Sequence, residues 1–245
     1  MQYTIFTDGS SRGNPGKGGY GSIIIVSKDN TPVYVREIGK GENMTTNNRM
    51  ELSACIKAFE NISDMEKKYP PTEKIKVFTD SSYVVNGITK WVKGWQKNNW
   101  QTKEKKDVLN KDLWESLYVN TKKYNVDWQV IGGHIGIKGN ERCDEIATAM
   151  ADDKDIELFD GVYDKYSIKD ILDMKHDEQM LSNKGESRNR SNAKAYSYVS
   201  MVKNIIKVHE TWADCEKRVK GVAGAKYKKA LNQEEEVALI KSWRG

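Results

Sequence analysis

Two runs of strand length close on the same three residues. Tyr3-Thr4-Ile5-Phe6-Thr7-Asp8-Gly9-Ser10 and Ile75-Lys76-Val77-Phe78-Thr79-Asp80-Ser81-Ser82 are both rich in β-branched and aromatic side chains. Each ends on Phe-Thr-Asp and then breaks into small polar residues. Laid side by side and parallel, two such strands bring two carboxylates together beyond their carboxyl ends, where open α/β sheets bind ligands. Taken singly, each aspartate also reads as a cap or turn former, with Asp80 preceding a helix that begins at Ser81. The recurrence of the whole run favours a paired site.

Between the two runs, Arg12-Gly13-Asn14-Pro15-Gly16-Lys17-Gly18-Gly19 is too glycine-dense for a helix or strand. It lacks the Gly-Lys-Ser/Thr of a P-loop, and no helix follows it. Tyr20 to Val26, a turn at Asp29-Asn30 and Thr31 to Ile38 extend the first strand into a three-stranded antiparallel meander. Thr45-Thr46-Asn47-Asn48 supplies capping side chains for a helix from Arg49 to Ile62, whose buried stripe is Leu52, Cys55, Ile56 and Phe59. Glu51 borders that stripe. It either answers the helix dipole or faces the sheet's end as a third carboxylate.

Pro70-Pro71 precedes the second run, and a short helix follows from Ser81. From Lys90 to Lys106, Trp91, Trp95 and Trp100 are interleaved with six lysines. This stretch is either a solvated lysine face over a tryptophan core or a contact for a nucleic-acid backbone. A helix with Leu109, Leu113, Trp114 and Leu117 leads to a strand from Val126 to Ile131. The glycine-rich stretch Gly132 to Asn140 carries His134, a residue able to move protons near neutral pH. A helix from Glu141 to Met150 then presents Cys143, Ile146, Ala147 and Met150 on one face, with Asp144 at its border.

Periodicity weakens over 153–195, where Ile168, Ile171, Leu172 and Met174 suit a short amphipathic helix and Ser182 to Asn192 reads as a flexible linker. Order returns with a hairpin over Tyr198 to Val208, a helix opening at Thr211-Trp212, a turn and strand over Gly221 to Lys229, and a helix from Gln233 to Trp243. The expected organisation is therefore an α/β domain over 1–152, a linker over 153–195 and a small α/β domain over 196–245. The first domain is expected to hold a five-stranded mixed sheet flanked by helices.

Composition narrows the class. No apolar run reaches the ~18–20 residues of a membrane span, and no charged-then-apolar leader opens the chain, so a soluble, cytoplasmic protein is expected. Cys55, Cys143 and Cys215 are far apart and fall on apolar helical positions, which argues for buried thiols over zinc or disulfides.

Asp8, Glu51, Asp80 and Asp144 would repel one another if they converged, and each would raise the others' pKa. A hard divalent cation resolves this. All-oxygen donors without a His/Cys cluster suit Mg²⁺, with Mn²⁺ as a substitute, and two such ions can clamp the attacking and leaving oxygens of a phosphoryl transfer.

Asp8-Gly9-Ser10 with Gly13-Asn14-Pro15-Gly16, Thr45 to Leu52, Thr79-Asp80-Ser81, and Gly133-His134 with Asn140 to Asp144 together resemble the bacterial type I ribonuclease H family, in order over residues 1 to about 150. The resemblance implies a ribonuclease H-like fold and a nuclease that cuts the RNA strand of RNA–DNA hybrids, leaving 5′-phosphate and 3′-hydroxyl ends. It implies that Asp8 bridges two metal ions, that Glu51 and Asp80 hold one and Asp144 the other, and that His134 assists proton movement or product departure. Asn14, Thr46, Asn47 and Asn48 would contact the nucleic acid near the cut, where the 2′-hydroxyl marks RNA. Trp91, Lys97, Trp100, Lys103 and Lys106 would form the basic handle on the hybrid. Met44 departs from the pattern, standing where relatives often carry a basic residue.

The tail, with Thr211-Trp212-Ala213-Asp214-Cys215 and Gly221 to Lys229, resembles the small hybrid-binding or viroplasmin-like domain. That likeness implies Trp212 and Tyr227 against sugars and bases, and Lys228 and Lys229 on phosphates. Lys203 and Lys207 depart from it, occupying positions where glycines are expected. The expected protein is a monomer whose partner is the hybrid. A non-cutting hybrid-binding protein and another polynucleotidyl transferase of the same fold are the competing readings. Clustered carboxylates facing phosphates argue against the first, and the handle, Asn47-Asn48 and His134 against the second.

Overall fold

The computed structural model describes residues 1–102, 104–132, 136–174, 195–203, 205–222 and 224–244. They fall into two units, Met1–Asp177 and Glu178–Gly245.

In the first unit the two Phe-Thr-Asp runs lie side by side. β1 (Gln2–Ser11) and β4 (Ile75–Thr79) pair in parallel with Phe6 opposite Phe78 and Thr7 opposite Thr79, so Asp8, still within β1, and Asp80, just past the end of β4, stand at the same level. The phenylalanine rings stack at 5.3 Å and hold that register from one face. β2 (Gly16–Lys28) and β3 (Thr31–Thr45) complete the antiparallel meander, and β5 (Val126–Val130) adds in parallel beyond β4.

The sheet has six strands, in the order β5-β4-β1-β2-β3-β6, and not the expected five. The sixth, β6 (Asp160–Val162), comes from the segment read as linker and pairs with Tyr34–Arg36 of β3. Its physical source is visible in the core, where Tyr166 and Ile171 are almost wholly buried. Residues 153–174 thus belong to the first unit, and the linker stretch over 175–194 lies outside the described residues. The amphipathic helix expected around Ile168 to Met174 is a turn instead. Asp170 adopts φ +56°, which a right-handed helix does not accommodate, while Ile171 still reaches the core.

Strand alternation sends neighbouring side chains to opposite faces and builds two cores. Tyr3, Ile5, Ile24 and Val26 pack under α1 (Asn47–Met65) and α4 (Lys111–Thr121) with Leu52, Cys55, Phe59, Ile62, Trp114 and Leu117. Phe6, Ile23, Ile25, Val35 and Phe78 pack on the other face with Cys143 of α5 (Lys138–Ala151), Tyr166 and Ile171. Full burial of each of these large side chains contributes about 1.5–3 kcal/mol.

After β4, α2 (Ser82–Asn86), a π-helical turn (Gly87–Trp91) and α3 (Val92–Lys97) form one bent stretch. Gly87 lies against the Trp114 ring, which leaves no room for a side chain there. All three cysteines are buried, free thiols. Among the described residues, no helix is long and apolar enough to cross a membrane.

The second unit is a three-stranded antiparallel sheet in the order β8 (Ile205–His209), β7 (Ser197–Val202), β9 (Lys226–Ala230), with α6 (Trp212–Val219) and α7 (Gln233–Arg244). Lys203 leaves β7 with φ +49°, in the left-handed region where glycine is favoured. This gives the physical sense of the glycine expected at that position.

Candidate active site

Four elements deliver the four carboxylates. Asp8 lies within β1 and faces Gly21 across the antiparallel ladder. Asp80 follows the last residue of β4. Glu51 lies in the second turn of α1, which Thr46 caps by accepting the Arg49 backbone N–H. Asp144 lies in α5 between the buried Cys143 and Ile146.

Two glycines permit the close approach of both helices. A Cβ on Gly9 would collide with the backbone nitrogen of Glu51, and one on Gly21 with the carbonyl oxygen of Cys143. Glycine next to Asp8 along the strand and glycine opposite it across the ladder therefore let α1 and α5 settle against β1 and β2 near the same carboxylate.

Asp8 is 4% exposed. Burial, the Asp80 carboxylate, and to a lesser degree Asp144 and Glu51 push its carboxyl up to about 8 against the opposing hydrogen bond from the Gly9 N–H. Glu51 is also raised, chiefly by burial. Ser81 Oγ donates to its Oε2 and Asn47 Nδ2 to its Oε1 at 2.8 Å, and these bonds hold it down while Asp80 pushes it further up. Thr148 Oγ1 stands 3.5 Å from Asp144 Oδ1.

Among the described residues, no three acidic, histidine or cysteine side chains are drawn together tightly enough to hold a metal ion as they stand. The donor set nonetheless suits a hard divalent cation. It consists of carboxylate oxygens alone, and its central member ionises readily at neutral pH only when positive charge is supplied beside it.

The flanking residues are arranged as follows. Asn14 is exposed on the β1–β2 turn, next to a cis peptide bond with Pro15. Arg12 and Lys17 tie that turn to the end of α5 through ion pairs with Asp152 and Asp153, and Arg12 Nη2 also reaches the Thr148 carbonyl at 3.4 Å. Asn47 and Asn48 are the first residues of α1, half-buried beside Glu51, and Met44 is 74% exposed at the end of β3. His134 lies outside the described residues.

The tryptophan run divides. Trp95 and Trp100 pack toward the core, Trp95 at 5.6 Å from the buried Trp114, whereas Trp91 is 39% exposed and tilts against Tyr83 and Trp95. Lys97 and Lys106 are exposed, and Lys103 lies outside the described residues. Both readings of this stretch thus hold in part, with a tryptophan core beneath and one tryptophan among lysines at the surface.

In the second unit Trp212 sits between Tyr198 and Tyr227, with ring centroids at 5.6 and 5.3 Å. Tyr198 pairs with Lys229 in the ladder, so strand alternation puts Tyr227 and Lys229 on the aromatic face and Lys228 on the opposite one.

Sequence reasoning placed Ser81 at a helix start and in the Thr79-Asp80-Ser81 motif but gave its side chain no role in the site. Ser81 does cap α2, accepting the Val84 N–H, but its hydroxyl proton goes to Glu51. Arg12 and Arg142 were also missed as organisers of the site, because their partners lie 140 and 105 residues away in the chain.

Residues 1–152 match the RNase H family model, and residues 203–235 match the model of the ribonuclease H1 N-terminal domain. The ribonuclease H of Proteus mirabilis is 45% identical over 150 residues, which is 61% of this chain and 87% of that protein. That of Ruegeria sp. TM1040 is 44% identical over 144 residues, 59% of this chain and 87% of that protein. Among solved structures, LC9-RNase H1, a type 1 RNase H with the type 2 active-site motif, superposes with a TM-score of 0.57 at 27% identity, covering 70% of this chain and 83% of that one. The PFV RNase H domain shares the fold, with a TM-score of 0.51 at 22% identity over 63% of this chain and 98% of that one.

Proposed function

Because this chain belongs to the ribonuclease H family, we propose that it hydrolyses the RNA strand of RNA–DNA hybrids with two Mg²⁺ ions, leaving 5′-phosphate and 3′-hydroxyl ends. The observation that carries this reading is the parallel register of β1 and β4, which sets Asp8 and Asp80 side by side with Glu51 and Asp144 close enough to raise the Asp8 pKa.

Asp8 would bridge the two ions, Glu51 and Asp80 would hold one, and Asp144 the other. Bound there, divalent cations supply the positive charge that stabilises the attacking and leaving oxygens of the phosphodiester. Ser81 and Asn47 orient the Glu51 carboxylate by direct hydrogen bonds, and burial keeps bulk water from Asp8. Asn47, which donates to Glu51, with Thr46 and Asn48 at the start of α1 and Asn14 on the β1–β2 turn, would offer amide and hydroxyl groups to the sugar edge of the RNA strand. His134 moves a proton at the leaving oxygen or speeds product departure.

Trp91 with Lys97, Lys103 and Lys106 grips the hybrid's backbone. The second unit adds a second grip, with Trp212 and Tyr227 against sugars and bases and Lys229 beside them on phosphate, and so raises the local concentration of hybrid at the nuclease. The enzyme works as a cytoplasmic monomer.

The test is cleavage of a strand-labelled RNA–DNA hybrid with Mg²⁺, beside RNA and DNA duplexes and an Asp8→Asn control. Cutting of the hybrid's RNA strand alone, lost in the control, is the expected result. Binding without cutting under both Mg²⁺ and Mn²⁺ would replace the nuclease with a hybrid-binding protein.

A further inference from the structure

α5 lies close on the sheet, with Gly21 against its Cys143 carbonyl and Cys143, Ile146 and Ala147 fully buried beneath it. These small and apolar contacts set the depth of the helix and leave its exact roll to the polar contacts at its edges. Asp144 hangs from this helix toward β1. Two residues earlier, about 200° around an α-helix, Arg142 points the other way, toward β3.

There it meets Glu37, whose side chain is wholly buried. Arg142 Nε donates to Glu37 Oε1 at 2.8 Å and Nη2 to Oε2 at 2.9 Å, a two-pronged bond that fixes both distance and angle. The segment after the helix supplies two more donors to Glu37 and an acceptor for Arg142. Tyr166 Oη donates to Oε1 at 2.7 Å, the Phe159 N–H donates to Oε2 at 3.0 Å, and the Glu157 carbonyl accepts from Arg142 Nη2 at 2.8 Å. Among the described residues, the hydrogen-bond partners of this buried carboxylate come from α5 and from the chain that follows it, the latter beyond the 1–152 span that matches the family model.

We propose that Arg142 is a positioning residue for Asp144: its bond to Glu37, completed by Tyr166 and the Phe159 amide, sets the roll of α5 and thereby the place of the Asp144 carboxylate opposite Asp8. This rests on the reading of Asp144 as a metal ligand. It makes residues 157–166 a working part of the catalytic unit, although they carry no group that touches substrate.

The experiment compares Mg²⁺ affinity by calorimetry, together with kcat and KM on a labelled hybrid, in the full chain and four variants. Arg142→Met breaks the tie. Glu37→Met/Arg142→Met/Tyr166→Phe replaces it with apolar side chains and leaves no buried side-chain charge. Tyr166→Phe removes one donor and keeps the ion pair. Leu117→Ala, in the opposite core, is the control for lost stability.

The expected result is Mg²⁺ binding weakened about tenfold in the first two variants, a smaller loss in Tyr166→Phe, a fall in kcat with hybrid KM unchanged, and wild-type Mg²⁺ affinity in Leu117→Ala. Wild-type Mg²⁺ affinity and kcat in Tyr166→Phe and in the folded triple variant would overturn the proposal. Failure of the wild-type chain itself to bind Mg²⁺ or cut would instead overturn the metal-nuclease reading beneath it.

Discussion

Ser81 Oγ donates its proton to Glu51 Oε2, joining the end of β4 to the second turn of α1. The same hydroxyl caps α2 by accepting the Val84 N–H at 3.2 Å. Ser81→Ala removes both bonds. It is expected to cost about 1–3 kcal/mol, since one of them involves a carboxylate. The bond also holds the Glu51 carboxyl down against burial, so its loss moves the acid limb of the cleavage pH profile upward. Thermal unfolding and a pH–rate profile of the variant check the two effects separately.

Asp8 makes the metal-free protein sensitive to alkali. Its folded pKa, about 8, lies above the ordinary carboxylate value, so folding favours the protonated form. The stability this contributes is full below about pH 4 and is lost as the pH rises through 8. Asp8→Asn, neutral at every pH, should therefore outlast wild type by about 1–3 kcal/mol at pH 9 in chelator, and the gap should be clearly smaller at pH 5, closing only near pH 4. Melting curves at the two pH values measure it. An equal gap at both would show that Asp8 does not titrate in this window.

Glu37 carries the opposite sign. Burial pushes its carboxyl up, but the hydrogen bonds from Arg142, Tyr166 and the Phe159 amide outweigh burial and hold it below the ordinary range. Its contribution is present above that range and is lost as the pH falls through the folded pKa. Glu37→Gln should cost about 3 kcal/mol at pH 7, because it removes the buried counter-charge of the Arg142 guanidinium and leaves it only the exposed Glu145 carboxylate at 2.9 Å. The difference should shrink toward pH 3, which denaturant titrations at the two pH values would show.

Lys203 pays for its left-handed backbone. Lys203→Gly should stabilise the second unit by about 0.5–1 kcal/mol, the strain relieved less the added freedom of the unfolded chain. Denaturant-dependent amide hydrogen exchange of the β7 and β9 residues reports on that unit.

Trp212, between Tyr198 and Tyr227, is the centre of the second unit's aromatic face. Trp212→Ala should weaken hybrid binding about tenfold, the effect of losing one stacked base. kcat at saturating hybrid should stay unchanged. Steady-state kinetics on long and short hybrids test this, with the larger effect expected on the long one.

The parallel pairing of Phe6-Thr7-Asp8 with Phe78-Thr79-Asp80 was legible because the run is repeated and its composition is that of a strand. The stripe of α1 was legible for a similar reason, since Leu52, Cys55, Ile56 and Phe59 recur at helical spacing and are buried as expected. β6 was not legible. Three residues around Gly161 show no alternation, and the strand exists because Tyr166 and Ile171 bury themselves further along. The Glu37–Arg142 bond was equally hidden, since no local pattern links residues 105 positions apart. In the tryptophan run, sequence spacing could not separate the core-facing Trp95 from the exposed Trp91, because the helix there passes through a π turn that shifts its faces.

The short strand β6 has a consequence for the life of the molecule in a crowded solution. It covers Tyr34–Arg36, and Asp160 is fastened there by Arg36 at 3.0 Å. Without it, the edge of β3 would offer unpaired amides and carbonyls flanked by Val33, Tyr34 and Val35, a ready template for the strand of another copy. A chain cut before Asp160 should show concentration-dependent growth in light scattering, whereas in the intact chain a strand of only three residues stands at that edge in place of the longer β3.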